Sequence, residues 1–386
     1  MAKQTVRPGD QPTAVGAASR ARMLTATHVR EGLRYLGYGA KRKLLGAHRF
    51  SGSARSICDQ IIERCWNGTY FRNSAGHYRE FWCRDFGFSV DALLKLGQRE
   101  RVLKTLAYAL ETFSAHGKIE TTISPSGVPF SFPNVCSPDS VAYLFHALRA
   151  AKAQQLIAQY RQFLQREVKR FVSEAIDAQT GLIKRKTQFS GMRDYAVRDS
   201  SCYDNAMAAF LSNELDALKL DNPLRKLNLS QKIKETFWNG RYFLDDCSGA
   251  THVTSDANLL PFWTGVITDK KMLASVITEL ERAGLASPFP LRYVHEDAKE
   301  RMIWLSALVP RWEHDTIWSH IGLLYLQVLR KASPARYKKR LAAYKRIVQR
   351  DRTLFELFTP QGKPYRSVWY MADEAMLWAA NLRVLL

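Results

Sequence analysis

CWNGTYFRNSAGHYREFWCRDFGFSVDALLKLG, residues 65–97, holds a helix end, an aromatic loop and a helix start in one stretch. Trp66-Asn67-Gly68 closes a helical pattern that begins near residue 54. Helix resumes at Arg84-Asp85. An acidic residue suits an N-cap or first turn, and Phe86, Val90, Leu93, Leu94 and Leu96 follow before a stop at Gly97. Between the two helices lie Tyr70, Phe71, Tyr78, Phe81 and Trp82, beside Arg84 and Asp85. Flat aromatic faces next to charged hydrogen-bonding groups suit a ligand with apolar faces and a polar rim, as a sugar ring has.

The stretch recurs. Residues 237–265 read FWNGRYFLDDCSGATHVTSDANLLPFWTG. Trp66-Asn67-Gly68-Thr69-Tyr70-Phe71 is thus matched 172 residues later by Trp238-Asn239-Gly240-Arg241-Tyr242-Phe243, and Asp85 is matched by Asp256, 171 residues on. Five of six neighbouring positions agree and the downstream Asp keeps register, which is more than coincidence among common loop residues supplies. One helix–loop–helix unit appears twice, half a chain apart, and such self-similarity points to an architecture built by repetition.

From Ser53 onward helix follows helix. Apolar residues recur three and four apart, as in Val102, Leu106, Leu110 and Phe113. The spacing predicts helices over 54–66, 86–96, 99–115, 139–151, 153–176, 201–219, 226–238, 257–266, 269–283, 316–331, 334–350 and 373–385, with a short one near 297–308. Loops rich in Gly, Pro, Asp and aromatics separate them at 116–138, 177–200, 239–256, 284–315 and 351–372. Long loops alternating with short ones are what helical hairpins produce when one rim carries function. A closed ring of hairpins buries an inner layer, which fits the apolar 139–148, 257–266 and 317–329. The expected organisation is one all-α domain over 53–386 behind a basic extension at 1–52. Within that extension, 1–22 reads as a mobile tail and 28–48 as a short basic helix weakened by its glycines.

Composition narrows the function classes. The chain of 386 residues is 46% hydrophobic and 11% aromatic, which excludes a disordered protein. No apolar run approaches the roughly 18 residues of a membrane span, and the N-terminus shows no apolar signal segment. The six cysteines, at 58, 65, 83, 136, 202 and 247, form no Cys-x-x-Cys pair and read as free thiols of a cytoplasmic protein. Trp312-Glu313-His314-Asp315 lacks a second His at helical ligand spacing, and neither a Walker loop nor a GxGxxG or GxSxG run occurs, so no metal or cofactor is expected. The formal charge is +21. Residues 1–50 carry ten Lys/Arg against Asp10 and Glu31, and residues 330–352 carry ten against Asp351. Both segments suit weak electrostatic association with an anionic surface, while no nucleic-acid motif accompanies them.

The Trp82-x-Arg84-Asp85 run ahead of an apolar helix ending at Leu96-Gly97 resembles the six-hairpin, (α/α)6-toroid glycosidases. So do Ser255-Asp256-Ala257-Asn258-Leu259-Leu260-Pro261, Ile317-Trp318-Ser319-His320, and Met376-Leu377-Trp378-Ala379-Ala380-Asn381-Leu382. The likeness is greatest to the amylo-α-1,6-glucosidase domain and its relatives grouped with trehalase and processing α-glucosidase. It covers residues 53–386. The resemblance implies an (α/α)6 toroid and an inverting glycoside hydrolase acting on an α-glucosidic bond in a small glycoside or oligosaccharide. It implies a carbohydrate substrate and no cofactor.

An inverting hydrolase needs a protonated carboxyl at the leaving oxygen and a second carboxylate to activate water. The mid-chain loop FSGMRDYAVRDSSCYDN, residues 189–205, resembles the loop holding the family's acid and assigns that role to Asp194, with Asp199 as the alternative. Asp199-Ser200-Ser201 ahead of a helix also reads as an N-cap cluster, and Arg193 beside Asp194 would favour its charged form. The late loop LFELFTPQGKPY, residues 354–365, resembles the turn holding the family's base and assigns Glu356, with Glu374 second. Asp373-Glu374 reads more simply as a pair complementing a helix dipole. Substrate-binding candidates are Trp82, Arg84, Asp85, Asp139, Asp199, Tyr203, Asp256, Trp263, Trp318, His320 and Tyr365. Any one of these aromatics taken alone is better explained by core packing. Competing readings are a sugar epimerase using His314 and His320, a phosphorolytic relative, and a non-catalytic toroid that docks on an anionic polymer.

Overall fold

The computed structural model describes residues 24–386. The tail expected at 1–22 lies outside the described residues. After α1 (Ala26–Leu45), outer and inner helices alternate. α2 (Ala54–Cys65) leads to α3 (Cys83–Lys95), and α4 (Arg99–His116) to α5 (Pro138–Ala150). α6 (Gln154–Gln159) and α7 (Arg161–Ala175) lead to α8 (Cys202–Ala217), and α9 (Leu229–Phe237) to α10 (Ser255–Trp263). α11 (Lys270–Arg282) leads to α12 (Ser319–Ala332), and α13 (Pro334–Asp351) to α14 (Ala379–Leu385). The inner helices α3, α5, α8, α10, α12 and α14 pack on one another in that order, and α14 returns to α3. This closed inner ring with its outer layer is an (α/α)6 toroid, as the hairpin pattern predicts.

The two layers differ because their surroundings differ. α5 is buried from Pro138 through Leu148, since neighbours cover every face. α7 buries Leu164, Val168, Phe171 and Ala175 on one stripe and gives its other face to water. The inner helices approach closely: a Cβ on Gly87 of α3 would stand 2.5 Å from the Tyr143 Cβ of α5.

The repeated stretch is one structural unit used twice. Asn67 Oδ1 accepts from the amides of Thr69 and Tyr70 at 2.9 and 2.8 Å, and Asn239 Oδ1 does the same for Arg241 and Tyr242 at 3.0 Å each. Gly68 and Gly240 take φ of 100° and 95°, a region that glycine enters without steric penalty. A bridge then pairs Trp66 with Phe71 and Trp238 with Phe243. The copies precede α3 and α10, first and fourth of six inner helices, and so lie opposite across the ring. A third copy follows α7. There Asp177 Oδ1 accepts from Gln179 and Thr180, and Ile176 bridges Ile183. Its loop is longer and its sequence shares no aromatic with the others, which hides it from sequence comparison.

Boundaries shift where tertiary contacts decide. The helix expected over 153–176 breaks at Tyr160. The one expected over 86–96 starts at Cys83, and that over 257–266 ends at Trp263. The one expected over 373–385 shortens to Ala379–Leu385, because Ala372 donates to the Tyr365 carbonyl and Ala375 adopts a φ of 55°. Short strands pin the loops at the inner-helix N-termini. β1 (Phe81–Trp82), β2 (Thr122–Ile123) and β3 (Pro129–Phe130) form one antiparallel sheet, and β4 (Ile317–Trp318) pairs with β5 (Leu357–Phe358). No described helix is long and apolar enough to cross a membrane.

Candidate active site

Each inner helix begins at the same rim, so first-turn residues from different hairpins meet there. Arg84 of α3 donates to Asp139 of α5 at 2.6 Å and to Asp194 at 3.2 Å. Tyr203 of α8 donates to the same Asp139 oxygen at 2.6 Å. Trp378, just before α14, donates its indole N–H to Asp85 at 2.8 Å. His320 of α12 stacks on Trp378 with ring centroids 5.0 Å apart. Beside these groups lies a cavity of about 500 Å³.

Asp194 and Glu356 both line this cavity. Asp194 Oδ1 accepts from Ser190 Oγ at 2.7 Å and from Arg84. Burial raises its pKa, and the Arg84 charge opposes that rise. The adjacent Arg193 does not touch the Asp194 carboxylate. Its guanidinium turns away to Glu300, with Nη1 to Oε1 at 2.7 Å. Glu356 is placed by the β4–β5 pair: its carbonyl accepts from the Ser319 amide and its amide donates to the Asp373 carbonyl, each at 2.9 Å. Its Oε2 accepts from the Tyr370 hydroxyl at 2.5 Å and the Asp373 amide at 3.1 Å. Burial pushes this carboxyl up to about 8 against those donors.

A third carboxylate, Glu313, also lines the cavity. Its two oxygens accept the Asp194 and Tyr195 amides at 2.8 and 2.7 Å, which locks the Asp194 loop. Burial and the nearby Asp194 charge push it up to about 8. Nothing local in Trp312-Glu313-His314-Asp315 announces this role; it exists only because the loop folds across residues 193–195.

The remaining candidates divide cleanly. Trp82, Arg84, Asp85, Trp318 and His320 line the cavity, while Asp139 and Tyr203 stand behind Arg84 and hold it. Asp199 is not brought to the site: its carboxylate takes Arg185 and the Lys186 amide near the surface. Asp256 faces Arg198 at 2.7 Å. Trp263, at the far end of α10, bonds Gln327 and packs on Phe88 and Tyr143 below the site. Tyr365 donates to the Pro310 carbonyl outside the lining. Glu374 accepts from Tyr38 and pairs with Arg42, so it fastens α1 rather than entering the cavity. Trp82 Nε1, Trp312 Nε1 and His320 Nε2 are buried at this cavity without a protein partner. Such groups are costly unless a polar ligand bonds them. Asp245, His252 and Glu300 bring donor atoms within 4.8 Å of one another, but Arg198 and Arg193 already hold the two carboxylates.

The Arg84 ion pairs give a direct stability test. Arg84→Met leaves Asp139 and Asp194 buried without a counter-charge, and an expected loss of about 3–5 kcal/mol follows. Urea denaturation measures it, and Arg84→Lys should recover part of the loss.

No protein-family model matches the sequence, and no curated protein does. Solved structures do match in fold. A mannosylglycerate hydrolase of family GH63 from Thermus thermophilus, in complex with Tris and D-glycerate, superposes with a TM-score of 0.60 at 13% identity, over 86% of this chain and 99% of that one. A glycosidase variant in complex with glucose gives 0.64 at 11% identity, over 94% and 97%. A GH78 rhamnosidase of Bacillus sp. GL1 gives 0.62 at 15% identity, over 86% and 34%. The chain has the (α/α)6-toroid fold of these glycosidases.

Proposed function

We propose that the protein is a glycoside hydrolase that inverts the configuration of an α-glucosidic bond. One observation carries the reading: two carboxylates from loops 162 residues apart, Asp194 and Glu356, meet in a single buried cavity walled by Trp82, Trp318 and Trp378. Asp194 donates the proton to the leaving oxygen and Glu356 takes one from the attacking water. Arg84 and Glu313 hold Asp194, and Tyr370 orients Glu356 and favours its ionised form. The unpartnered indole and imidazole nitrogens take sugar hydroxyls. The solved toroids bound to glucose or named as rhamnosidase and mannosylglycerate hydrolase support sugar hydrolysis in general. α-Glucose is the choice that the loop likeness to trehalase and processing α-glucosidase favours. Free, unpaired thiols support a cytoplasmic setting.

An epimerase reading needs two converging histidines. His320 lines the cavity, with burial lowering its pKa to about 3, while His314 turns to the Ala298 carbonyl at 2.8 Å. Incubation with a panel of aryl and alkyl α-glucosides and other α- and β-glycosides, followed by NMR, tests the proposal. β-Glucose is the expected first product. α-Glucose would mean retention, and no release from any α- or β-glycoside would remove the hydrolase reading.

A further inference from the structure

Eleven large apolar side chains stand exposed among the described residues, and five of them, Leu24, Val29, Leu36, Leu308 and Trp369, line the cavity. Leu24, Val29, Leu33, Leu36, Leu44 and Leu45 belong to α1 or its first preceding turn. Leu308 and Trp369 line the mouth beside Leu24, Val29 and Leu36, and Trp304 shares the short turn Trp304–Leu308. Val368 sits where Lys43 of α1 bonds the carbonyls of residues 367 and 368 at 2.8 Å each. Val128 tips the β2–β3 hairpin, which Arg30 of α1 reaches through Ser126 at 2.8 Å.

α1 is amphipathic in the inverse sense. Its inward face is polar: His28 bonds the Ser131 carbonyl, Tyr38 bonds Glu374, and Arg34 pairs with Glu80. Its outward stripe is Val29, Leu33, Leu36, Ala40 and Leu44, three or four residues apart and facing solvent. Leu33 is 64% and Leu44 87% exposed. A surface helix normally buries such a stripe, and a contiguous exposed patch marks a surface that something covers.

Charge selects the occupant. Of the cations on α1, Lys41 is exposed and Arg30 half exposed beside Glu31, while Arg34 and Arg42 turn inward to Glu80 and Glu374; the whole chain is +21. A second copy would bring the same excess of positive charge. Residues 1–23, with Lys3, Arg7, Arg20 and Arg22 against Asp10, are cationic too. An anionic lipid surface complements both the charge and the apolar stripe, and tryptophans at the rim suit the headgroup level. We propose that this rim docks on an anionic phospholipid bilayer, with α1 lying in the interface and the cavity mouth turned toward the lipid. On the hydrolase reading above, the substrate is then a glycolipid, whose sugar enters the cavity while its apolar aglycone stays at the mouth among Leu24, Leu36 and Trp369.

Flotation of the full chain with vesicles at about 0.15 M salt, near the physiological value, tests the docking without reference to hydrolysis. Capture is expected on vesicles of equal phosphatidylcholine and phosphatidylglycerol and not on phosphatidylcholine alone. Leu33→Gln/Leu44→Gln, two changes in solvent that leave the circular dichroism unaltered, should weaken capture by about tenfold or more. Lys41→Glu should weaken it by roughly fivefold or more. Capture that ignores the leucine changes would reduce the effect to plain charge and overturn the proposal. So would absence of capture, whether residues 1–23 mask the stripe or sedimentation shows a dimer. Vesicle capture with no glycoside cleaved would leave docking standing and remove the hydrolase. Cleavage of soluble glycosides with no capture would do the reverse.

Discussion

Asp194→Asn and Glu356→Gln should each lower turnover by about 10²–10⁴-fold or more while leaving sugar affinity nearly unchanged. Each change keeps the shape of the side chain and removes only its capacity to carry a proton. The Asn carbonyl still accepts from Ser190 and Arg84, and the Gln carbonyl still accepts from Tyr370 and the Asp373 amide, so neither loop loses its anchor. Binding, measured by calorimetry with a glucose-like inhibitor, is expected to rest on the aromatic walls and on Asp85 and His320, which line the cavity and which both variants retain. Two controls separate chemistry from general damage. Asp199→Asn breaks a pair with Arg185, whose side chain is 57% exposed, and exposed pairs contribute little. Glu374→Gln removes a charge that lies outside the cavity lining, and its amide oxygen still accepts from Tyr38, so α1 keeps its place. Both should keep turnover within about tenfold of the wild type, because neither carboxylate is placed to move a proton in the reaction. Full activity in both amide variants would remove the pair from the mechanism.

The ring was legible because its signals are local. Apolar spacing marks the inner helices, and the WNG turn is a backbone device built on an Asx side chain, with a glycine beside it in the two copies that sequence comparison finds. Asp85 could be assigned to a first turn for the same reason. Asp194 and Glu356 were reached through likeness to known loops, since nothing in their own neighbours shows that residues 162 apart meet. Glu313 stayed invisible because its role is to bond backbone amides of another loop, which leaves no trace in its own sequence. Asp199 misled because an acid beside a helix start looks the same whether it caps, pairs with a surface Arg or faces a ligand. Trp263 and Tyr365 misled in the way large aromatics do, since packing and recognition use the same side chains. The helix α1 was readable as basic and intermittently apolar. That its apolar side faces outward follows only from where its polar side finds partners, at Glu80, Ser131 and Glu374.

With Asp194, whose carboxyl burial also raises, keeping its proton, the rate constant kcat/KM should rise with pH through a midpoint near 8. A general base must be ionised, and burial holds the Glu356 carboxyl protonated until about 8. Below that pH most molecules carry a proton on the group that must accept one. Tyr370→Phe removes a donor to the charged form, so the midpoint should move higher still. Stability should run the opposite way. The Glu356 carboxyl binds its proton more tightly in the folded chain than in the unfolded one, where it titrates near 4.5. Its contribution is therefore fully present below about 4.5 and is lost as pH rises to about 8, to an extent on the order of a few kcal/mol. Glu313, also pushed up to about 8, adds to the loss over the same window. Glu356→Gln has no proton to lose there, so thermal melts should show it more stable than the wild type at pH 8 and equal to it near pH 4.5. Activity that instead falls through pH 8 would mean that Asp194 gives up its proton before Glu356 ionises, or that Glu356 is the proton donor. Asp194, whose carboxyl burial raises against the opposing Arg84 charge, would in the latter case be the base. The buried site thus ties the two observables to one group: the pH that ionises the base for catalysis is the pH at which the folded chain bears an unfavourable buried charge.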